Sequence, residues 1–357
     1  EGMFHNADVF QHLLKLERKR SERSKKFFLL MLIDLSSLKA QNDLKAIHHK
    51  IIDALTLSVR EIDIRGWYNN GKVIGVIFTE LDSSFVPKIE ESIISKVYNR
   101  LRNNLPAELI GKLKISWHVF PETDKTMALK YQFDHVLYPD HTNHSMKERF
   151  PMAVKSFLDI TISASALIVL SPIFFLTAAA VKATSRGPVF FRQKRIGLNG
   201  KCFEMLKFRS MYVNCAEDSH KKYIAKYIRE QEKAAVEPGV FKLTNDKRIT
   251  PIGQFLRRSS LDELPQLINV LTGEMSLVGP RPPLDYECEM YDIWHRRRLL
   301  SCKPGITGLW QVTGRSRTTF DEMVRLDLRY IKEWSLWLDL KILLETPRAV
   351  LSGKGAH

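Results

Sequence analysis

A chain of 357 residues is long enough for two domains, each with its own core. Its 55 Lys and Arg stand against 40 Asp and Glu, a formal charge of +15, which selects an anionic partner: nucleic acid, an acidic membrane surface or a phosphorylated small molecule. Cys202, Cys215, Cys288 and Cys302 show neither CxxC pairing nor a histidine at zinc-ligand spacing, so a disulfide framework or zinc ribbon is disfavoured and reduced thiols facing a cytosol are expected.

No secretory signal with a small-residue cleavage site opens the chain, and Glu1-Gly2-Met3 reads as a native start at Met3. Phe27 to Asp34 is a short apolar run ending in an acid, the pattern of a buried strand. A helical stretch follows from about Asp43 to Arg60. Next, Ile62–Tyr68 and Lys72–Phe78 flank Asn69-Asn70-Gly71, a strong hairpin signal. A helix from about Phe85 to Asn103 and a strand at Leu113–Phe120 complete a β-α-β-β-α-β order, which predicts a small ferredoxin-like α/β domain over residues 3–141. The opening strand ending in Asp34, then Asn42-Asp43, then the hairpin, resemble the layout of GGDEF diguanylate cyclases. Asn69-Asn70-Gly71-Lys72-Val73 stands where the signature would be, and the acid needed for Mg²⁺ is gone. The resemblance therefore implies a degenerate regulatory or dimerising domain, with a homodimer compatible.

A polar linker is expected over 142–153 and a membrane segment over 154–186. Phe157 to Val181 is a long apolar stretch carrying one charge, Asp159. Ser171-Pro172 interrupts it near the middle, where proline removes a backbone hydrogen bond. Both flanks are basic, with Lys155 before and Lys182 and Arg186 after, so both ends prefer the cytoplasmic side. A helix broken at Ser171-Pro172 that enters one leaflet and returns satisfies both observations. A kinked spanning helix is the competing reading.

From 187 to 351 the chain is basic and dense in motifs. Phe190–Gly197 and Phe203–Met211, joined at Asn199-Gly200, read as a β-hairpin whose cations alternate with rings; such a ribbon can bind single-stranded nucleic acid, but beside a membrane segment it points to a lipid surface or a nucleotide. Tyr223–Ala235 reads as a solvated charged helix. Phe255 and Leu256 beside Arg257-Arg258 suit a helix in the headgroup plane. Asp262-Glu263 lies between those arginines and the rigid Gly279-Pro280-Arg281-Pro282 turn, an acid pair in a basic setting of the kind phosphate chemistry needs. Ser260-Leu261-Asp262-Glu263 also fits a capping box, although Pro265 weakens it. Pro304–Arg315 reads as a glycine-rich loop able to close over a nucleotide. Trp294-His295-Arg296-Arg297-Arg298 reads as a surface patch facing anionic lipid.

Taken together, Phe190–Gly197, Lys207–Met211, Ser260–Leu267, Gly273–Pro282 and Pro304–Arg315 resemble the bacterial sugar transferase family, the monotopic polyprenyl-phosphate phosphoglycosyl transferases, over about Val154 to Leu351. The resemblance implies a re-entrant helix at Ser171-Pro172 and a mainly α, membrane-associated catalytic domain on the cytoplasmic face of a bacterial inner membrane. It also implies that Asp262 is a nucleophile toward a UDP-sugar and a Mg²⁺ ligand, that Glu263 assists, and that polyprenyl phosphate accepts the sugar phosphate. Lys207, Arg209, Arg257, Arg281, Gln311 and Arg315 are then expected to hold nucleotide and phosphates, and no nucleic acid is expected as partner. The N-terminal α/β domain departs from the longer family members, which carry several transmembrane helices there. Two other classes fit parts of the sequence: a membrane-tethered cyclic-dinucleotide scaffold whose acid pair merely caps a helix, and a nucleic-acid-binding protein using the basic ribbon.

Overall fold

The computed structural model describes residues 4–38, 44–81, 86–122, 133–142, 146–213, 248–314 and 318–351. The chain divides into two compact units, Glu1–Asn143 and His144–His357.

The first unit is built on a five-stranded sheet. In chain order its elements are β1 (Phe4–His5), α1 (Ala7–Ser24), β2 (Phe27–Asp34), α2 (Leu44–Thr56), β3 (Ile64–Asn69), β4 (Val73–Leu81), α3 (Val86–Asn104) and β5 (Lys114–Phe120). The sheet order is β1-β3-β4-β2-β5; β1 runs parallel to β3 and the remaining pairs are antiparallel. Elements β2 to β5 with α2 and α3 give the β-α-β-β-α-β order expected from the sequence. The opening β1-α1 pair was not anticipated. Helix α1 starts because the Asn6 side chain accepts the Val9 N–H at 2.9 Å, and it ends at Lys25 in the left-handed region. Its Phe10 and Leu14 are fully buried, and Phe10 lies over the paired Gly66 and Gly75, where a Cβ on Gly75 would meet its ring at 2.5 Å.

The second unit begins with two apolar helices, α4 (Met146–Val169) and α5 (Ser171–Thr184), separated at Leu170. Pro172 occupies the first turn of α5, where its missing N–H has no helical partner to lose, and Ser171 Oγ donates to the Ile168 carbonyl at 2.8 Å. Both helices are tied into the unit along one side, as far as Ala166 and Leu167 of α4 and from Phe174 of α5. Asp159 of α4 accepts from Ser276 Oγ at 2.8 Å and from the Leu277 N–H at 3.1 Å, and Lys155 Nζ donates to Asp339 at 2.6 Å. At the far end of α5, Val181 packs with Phe208 and Leu256. On the side turned away from the unit Ile168, Val169, Phe175 and Leu176 are each more than 70% exposed. Phe150–Val169 is the one described helix long and apolar enough to cross a membrane.

The ribbon β6 (Phe190–Ile196) and β7 (Cys202–Phe208) follows, antiparallel throughout, with Asn199 at φ 57° in its turn as the Asn-Gly pair predicts. Then come α6 (Pro251–Ser259), α7 (Gln266–Leu271), and the short parallel pair β8 (Ser276–Val278) and β9 (Gly305–Thr307). Two longer helices, α8 (Phe320–Glu333) and α9 (Leu336–Leu351), close the unit. Phe203, Met205, Leu267, Val270, Leu277, Tyr330 and Ile342 form its core. The charged helix expected at Tyr223–Ala235 lies outside the described residues.

Two local expectations are corrected. Ser260 is not an N-cap: it sits at φ 57°, ψ 16° as the left-handed C-cap of α6, and its side chain makes no capping bond. An N-cap needs an extended backbone and a side chain accepting from the following turn, so the capping box is absent. The patch Trp294–Arg298 is not wholly on the surface either, since His295 is 4% and Arg298 1% exposed. Both are held inward by acids, Asp321 for His295 and Asp327 for Arg298.

Candidate active site

The acid pair lies in a single 3₁₀ turn, Leu261–Glu263, between the C-terminus of α6 and the start of α7. The left-handed Ser260 ends α6, and Pro265 is the residue before α7, so the turn is fixed by a helix end on each side. Asp262 is buried, at 8% exposure, while the Glu263 side chain remains 35% exposed. Lys207 Nζ, from the end of strand β7, donates to Glu263 Oε1 at 2.8 Å. The structure thus joins two residues that are 56 positions apart in sequence.

A residue that sequence reasoning missed holds this junction. Asn269 of α7 is 2% exposed; its Oδ1 accepts the Leu206 N–H at 2.9 Å and its Nδ2 donates to the Glu204 carbonyl at 2.8 Å. It therefore bonds the outer edge of β7 as a neighbouring strand would, and fixes α7 and the acid turn against Lys207. The available signal was a polar residue inside the apolar run Leu267-Ile268-Asn269-Val270-Leu271.

The expected phosphate-binding residues divide. Arg257, in the last turn of α6, donates from Nε to Ser210 Oγ at 2.9 Å, which orients it on the same side chain framework as β7. Arg209 goes elsewhere. Its guanidinium is buried and donates to the Arg186 carbonyl at 2.9 Å and to the Ser185 carbonyl and Oγ, both at 2.8 Å. Those bonds satisfy the end of α5, so in this structure Arg209 anchors the apolar helix.

Arg281 and Gln311 follow the two short paired strands, Arg281 three residues past β8 and Gln311 four past β9. The Pro282 carbonyl accepts from Arg195 Nη1 at 2.8 Å and the Pro283 carbonyl from the Ile196 N–H at 3.0 Å, so the end of β6 sets the Gly279–Pro283 turn. Arg281 Nη2 lies 3.8 Å from Glu287 Oε1. Burial, reinforced by the nearby Arg281 cation, lowers the Arg195 guanidinium to about 10. Two guanidiniums near one carboxylate give this turn a surplus of positive charge, which suits a phosphate. Gln311 Nε2 donates to the Ile306 carbonyl at 3.2 Å, just past β9. Arg315 lies outside the described residues.

The glycine-rich turns are there because two backbones touch. A Cβ on Gly305 would meet the Gly279 nitrogen at 2.0 Å and the Thr307 carbonyl at 2.5 Å, and neither can rotate away. Gly305→Ala is expected to lower the stability of this unit by about 1–3 kcal/mol, read as a lower thermal midpoint for the full chain. An unchanged midpoint would show that the two turns can separate without cost.

Among the described residues no three His, Cys, Asp or Glu side chains cluster as a closed metal cage. Asp262 and Glu263 remain a possible open site, because Mg²⁺ is commonly held by one or two carboxylates and completed by substrate phosphates.

A family model described as bacterial sugar transferase matches residues 150–353. The galactosyl transferase CpsE of Streptococcus agalactiae serotype III (strain NEM316) is 47% identical over 206 residues, 57% of this chain and 44% of that protein. ExoY, an exopolysaccharide production protein of Rhizobium meliloti (strain 1021), is 42% identical over 58% of this chain and 88% of its own. The undecaprenyl-phosphate galactose phosphotransferase of Salmonella typhimurium is 39% identical over 64% of this chain and 47% of its own. The chain thus spans less than half the length of two of these three relatives. Among solved structures, a DGC protein from Thermotoga maritima is similar over 34% of this chain and 85% of its own, at 21% identity and a TM-score of 0.26.

Proposed function

Because the chain belongs to the bacterial sugar transferase family, we propose that it moves a sugar-1-phosphate from a UDP-sugar to polyprenyl phosphate, as a first membrane step in assembling a surface polysaccharide. The observation that carries this reading is the acid turn: a buried Asp262 beside Glu263, with Lys207 held against it by β7 and Asn269. In the first half-reaction an Asp262 carboxylate oxygen attacks the β-phosphorus, the bond between that phosphorus and the bridging oxygen breaks, and UMP leaves. The product is an aspartyl-phosphosugar. In the second half, a phosphate oxygen of the polyprenyl acceptor attacks the same phosphorus and returns Asp262 to its carboxylate. Dividing one phosphoryl transfer in two lets one site serve a soluble donor and a lipid acceptor in turn.

Lys207, bonded to Glu263, and Arg257, one turn before the acid pair, would bind phosphate oxygens, and Arg281 with Arg195 beside it offers a second group of cations for the nucleotide. Glu263, half-exposed beside the nucleophile, orients the acceptor or carries its proton. Mg²⁺, held by Asp262 and Glu263 together with the diphosphate, would neutralise phosphate charge. Relatives whose names include undecaprenyl-phosphate galactose phosphotransferase and UDP-glucose:undecaprenyl-phosphate glucose-1-phosphate transferase support both substrate classes.

The apolar helices supply the lipid side of the reaction. Each arm keeps one side on the unit, α4 through Asp159, Ser163, Ala166 and Leu167 and α5 through Phe174 and Ala178, while Ile160, Ile162, Ile168, Val169, Phe175 and Leu176 are exposed on the other; ten residues from Asp159 to Val169 are about 15 Å of helix, half of the roughly 30 Å hydrocarbon core. The return arm is docked again at Val181 and Ser185. This supports a hairpin that enters one leaflet from the cytoplasmic face of the inner membrane and comes back. Thiol labelling tests it with Cys202, which is exposed, and a cysteine placed at Ser24; labelling of the two from opposite faces of the membrane would sink the hairpin. The function itself is tested by presenting a panel of UDP-sugars with Mg²⁺ and polyprenyl phosphate in vesicles. At least one is expected to release UMP; release from none would overturn the proposal.

A further inference from the structure

We propose that Ser116, His118 and Asp134 of the first unit form a second reactive centre, a serine nucleophile able to cleave unhindered carboxylic esters. Strand β5 is an edge of its sheet, and its alternation divides it between two faces. Ile115, Trp117 and Val119 pack against the core of the unit, which leaves Lys114, Ser116 and His118 in a row on the opposite face. There His118 Nδ1 meets Asp134 Oδ2 at 2.5 Å and its Nε2 meets Ser116 Oγ at 2.9 Å. A carboxylate only accepts, so Nδ1 carries the proton, and a neutral imidazole protonated there accepts the serine hydroxyl at Nε2. Nucleophile, base and orienting acid thus stand in the order that general-base activation of a serine requires.

Asp134 is aimed at the strand from outside it. Its backbone N–H donates to Glu122 Oε1 at 3.3 Å, and its Oδ1 accepts the Val136 N–H at 3.2 Å, which holds Oδ2 toward His118. Fastening the chain after Asp134 does not account for the pair. The 3₁₀ turn His135–Leu137 is already held by the fully buried Leu137 and by the Tyr68 hydroxyl, which donates to the Val136 carbonyl at 3.0 Å. Tyr138 OH adds a bond to Glu122 at 3.3 Å. Ser116 is exposed, so water could satisfy its hydroxyl, yet it meets the ring nitrogen that Asp134 leaves as an acceptor. Residues two apart on one strand face are about 7 Å apart, within reach of a lysine side chain, so the exposed Lys114 can meet charge that forms beside Ser116. In the reaction Ser116 Oγ adds to the ester carbonyl carbon while its proton passes to His118 Nε2. The bond from that carbon to the alkoxy oxygen then breaks, and the alcohol leaves with the proton from Nε2. Water adds by the same route and releases the carboxylic acid. Short acyl esters, which need no enclosing walls, suit a serine on an open strand face.

The site lies within the first unit and stands apart from the transferase reading. The full chain in nanodiscs is treated with a fluorophosphonate, which phosphonylates activated serines, and its peptides are mapped by mass spectrometry. Hydrolysis of p-nitrophenyl acetate is followed in parallel. Label is expected on Ser116, and Ser116→Ala should lose both that label and ester hydrolysis above background. His118→Gln, which keeps a donor for Asp134 but no base, is expected to slow labelling by roughly 10²-fold or more, the contribution of a positioned general base. Asp134→Asn separates orientation from folding. Its carboxamide oxygen can keep the Val136 cap while its NH₂ donates to Nδ1 and drives the ring proton to Nε2. Labelling should then fall as in His118→Gln with an unchanged thermal midpoint; if the midpoint drops, the His118→Gln rate alone decides. Absence of label on Ser116 in the wild type overturns the proposal. Labelling of Ser116 at equal rates in the wild type and His118→Gln also overturns it, since the serine is then only an exposed hydroxyl.

Discussion

Asp262→Asn is expected to abolish UMP release, a loss of at least ~10⁴-fold, comparable with removing the nucleophile of other enzymes that pass through a covalent intermediate. The change is nearly isosteric, so the tight turn between α6 and α7 should survive it, and Asp262 is buried enough that solvent cannot substitute for its carboxylate. The carboxamide is neutral and a poor nucleophile toward phosphorus, which is why the whole rate is at stake and not one binding term. Glu263→Gln should fall less, on the order of 10²-fold, because a group that orients or moves a proton contributes within the general acid–base range. Lys207 loses its anionic partner in that variant, so KM for the UDP-sugar is expected to change as well. The two variants differ most clearly in a single turnover without acceptor. With radiolabelled donor, the wild type and Glu263→Gln should retain label on the protein, and Asp262→Asn should retain none. Full turnover by Asp262→Asn would remove the nucleophile from this turn and return the acid pair to a structural role.

What could be read from the sequence follows the range over which each feature is determined. The β2-to-β5 order was readable because strand alternation, helical periodicity and the Asn-Gly turn are local and agree with one another. Helix α1 escaped because its residues from Lys15 to Ser24 are mostly charged; its place depends on Phe10 meeting Gly66 and Gly75, more than fifty residues away. Ser260 failed as a cap for a related reason. The S-x-x-E spacing is a statement about one helix start, and here the preceding helix α6 has already fixed the serine in the left-handed region. Arg209 lies two positions from Lys207 in a basic ribbon and invites the same role, yet the end of α5 has unsatisfied carbonyls that claim it. Asp159 looked like an isolated charge in an apolar run and is one point by which α4 is held to β8. The motifs identified the chemistry; which arginines serve it is decided by tertiary neighbours.

The second large effect is expected far from the acid turn, at Arg298 and Asp327. Both side chains are 1% exposed, and Arg298 Nη1 donates to Asp327 Oδ2 at 2.9 Å while Nη2 donates to the Tyr291 hydroxyl. Asp327→Ala leaves a guanidinium that cannot deprotonate inside the core, and losing one partner of such a pair costs about 3–5 kcal/mol. A domain has on the order of 5–15 kcal/mol in total, so the unit should be close to unfolding at 37 °C. The double variant Arg298→Met with Asp327→Leu should regain most of that loss, since a packed apolar pair need not be worse than a buried ionic one. Urea midpoints of the full chain in nanodiscs, with amide exchange followed over 320–333, measure both. An unchanged midpoint for Asp327→Ala would mean that water reaches the pair. The consequence extends to substrate binding, because Arg298 lines the same small cleft as Pro280, Arg281 and Pro282. The ion pair fixes one wall behind the cationic turn from α8. The double variant should therefore fold and still show a raised KM for the UDP-sugar, with kcat affected less, which separates the pair's part in stability from its part in holding Arg281 in place.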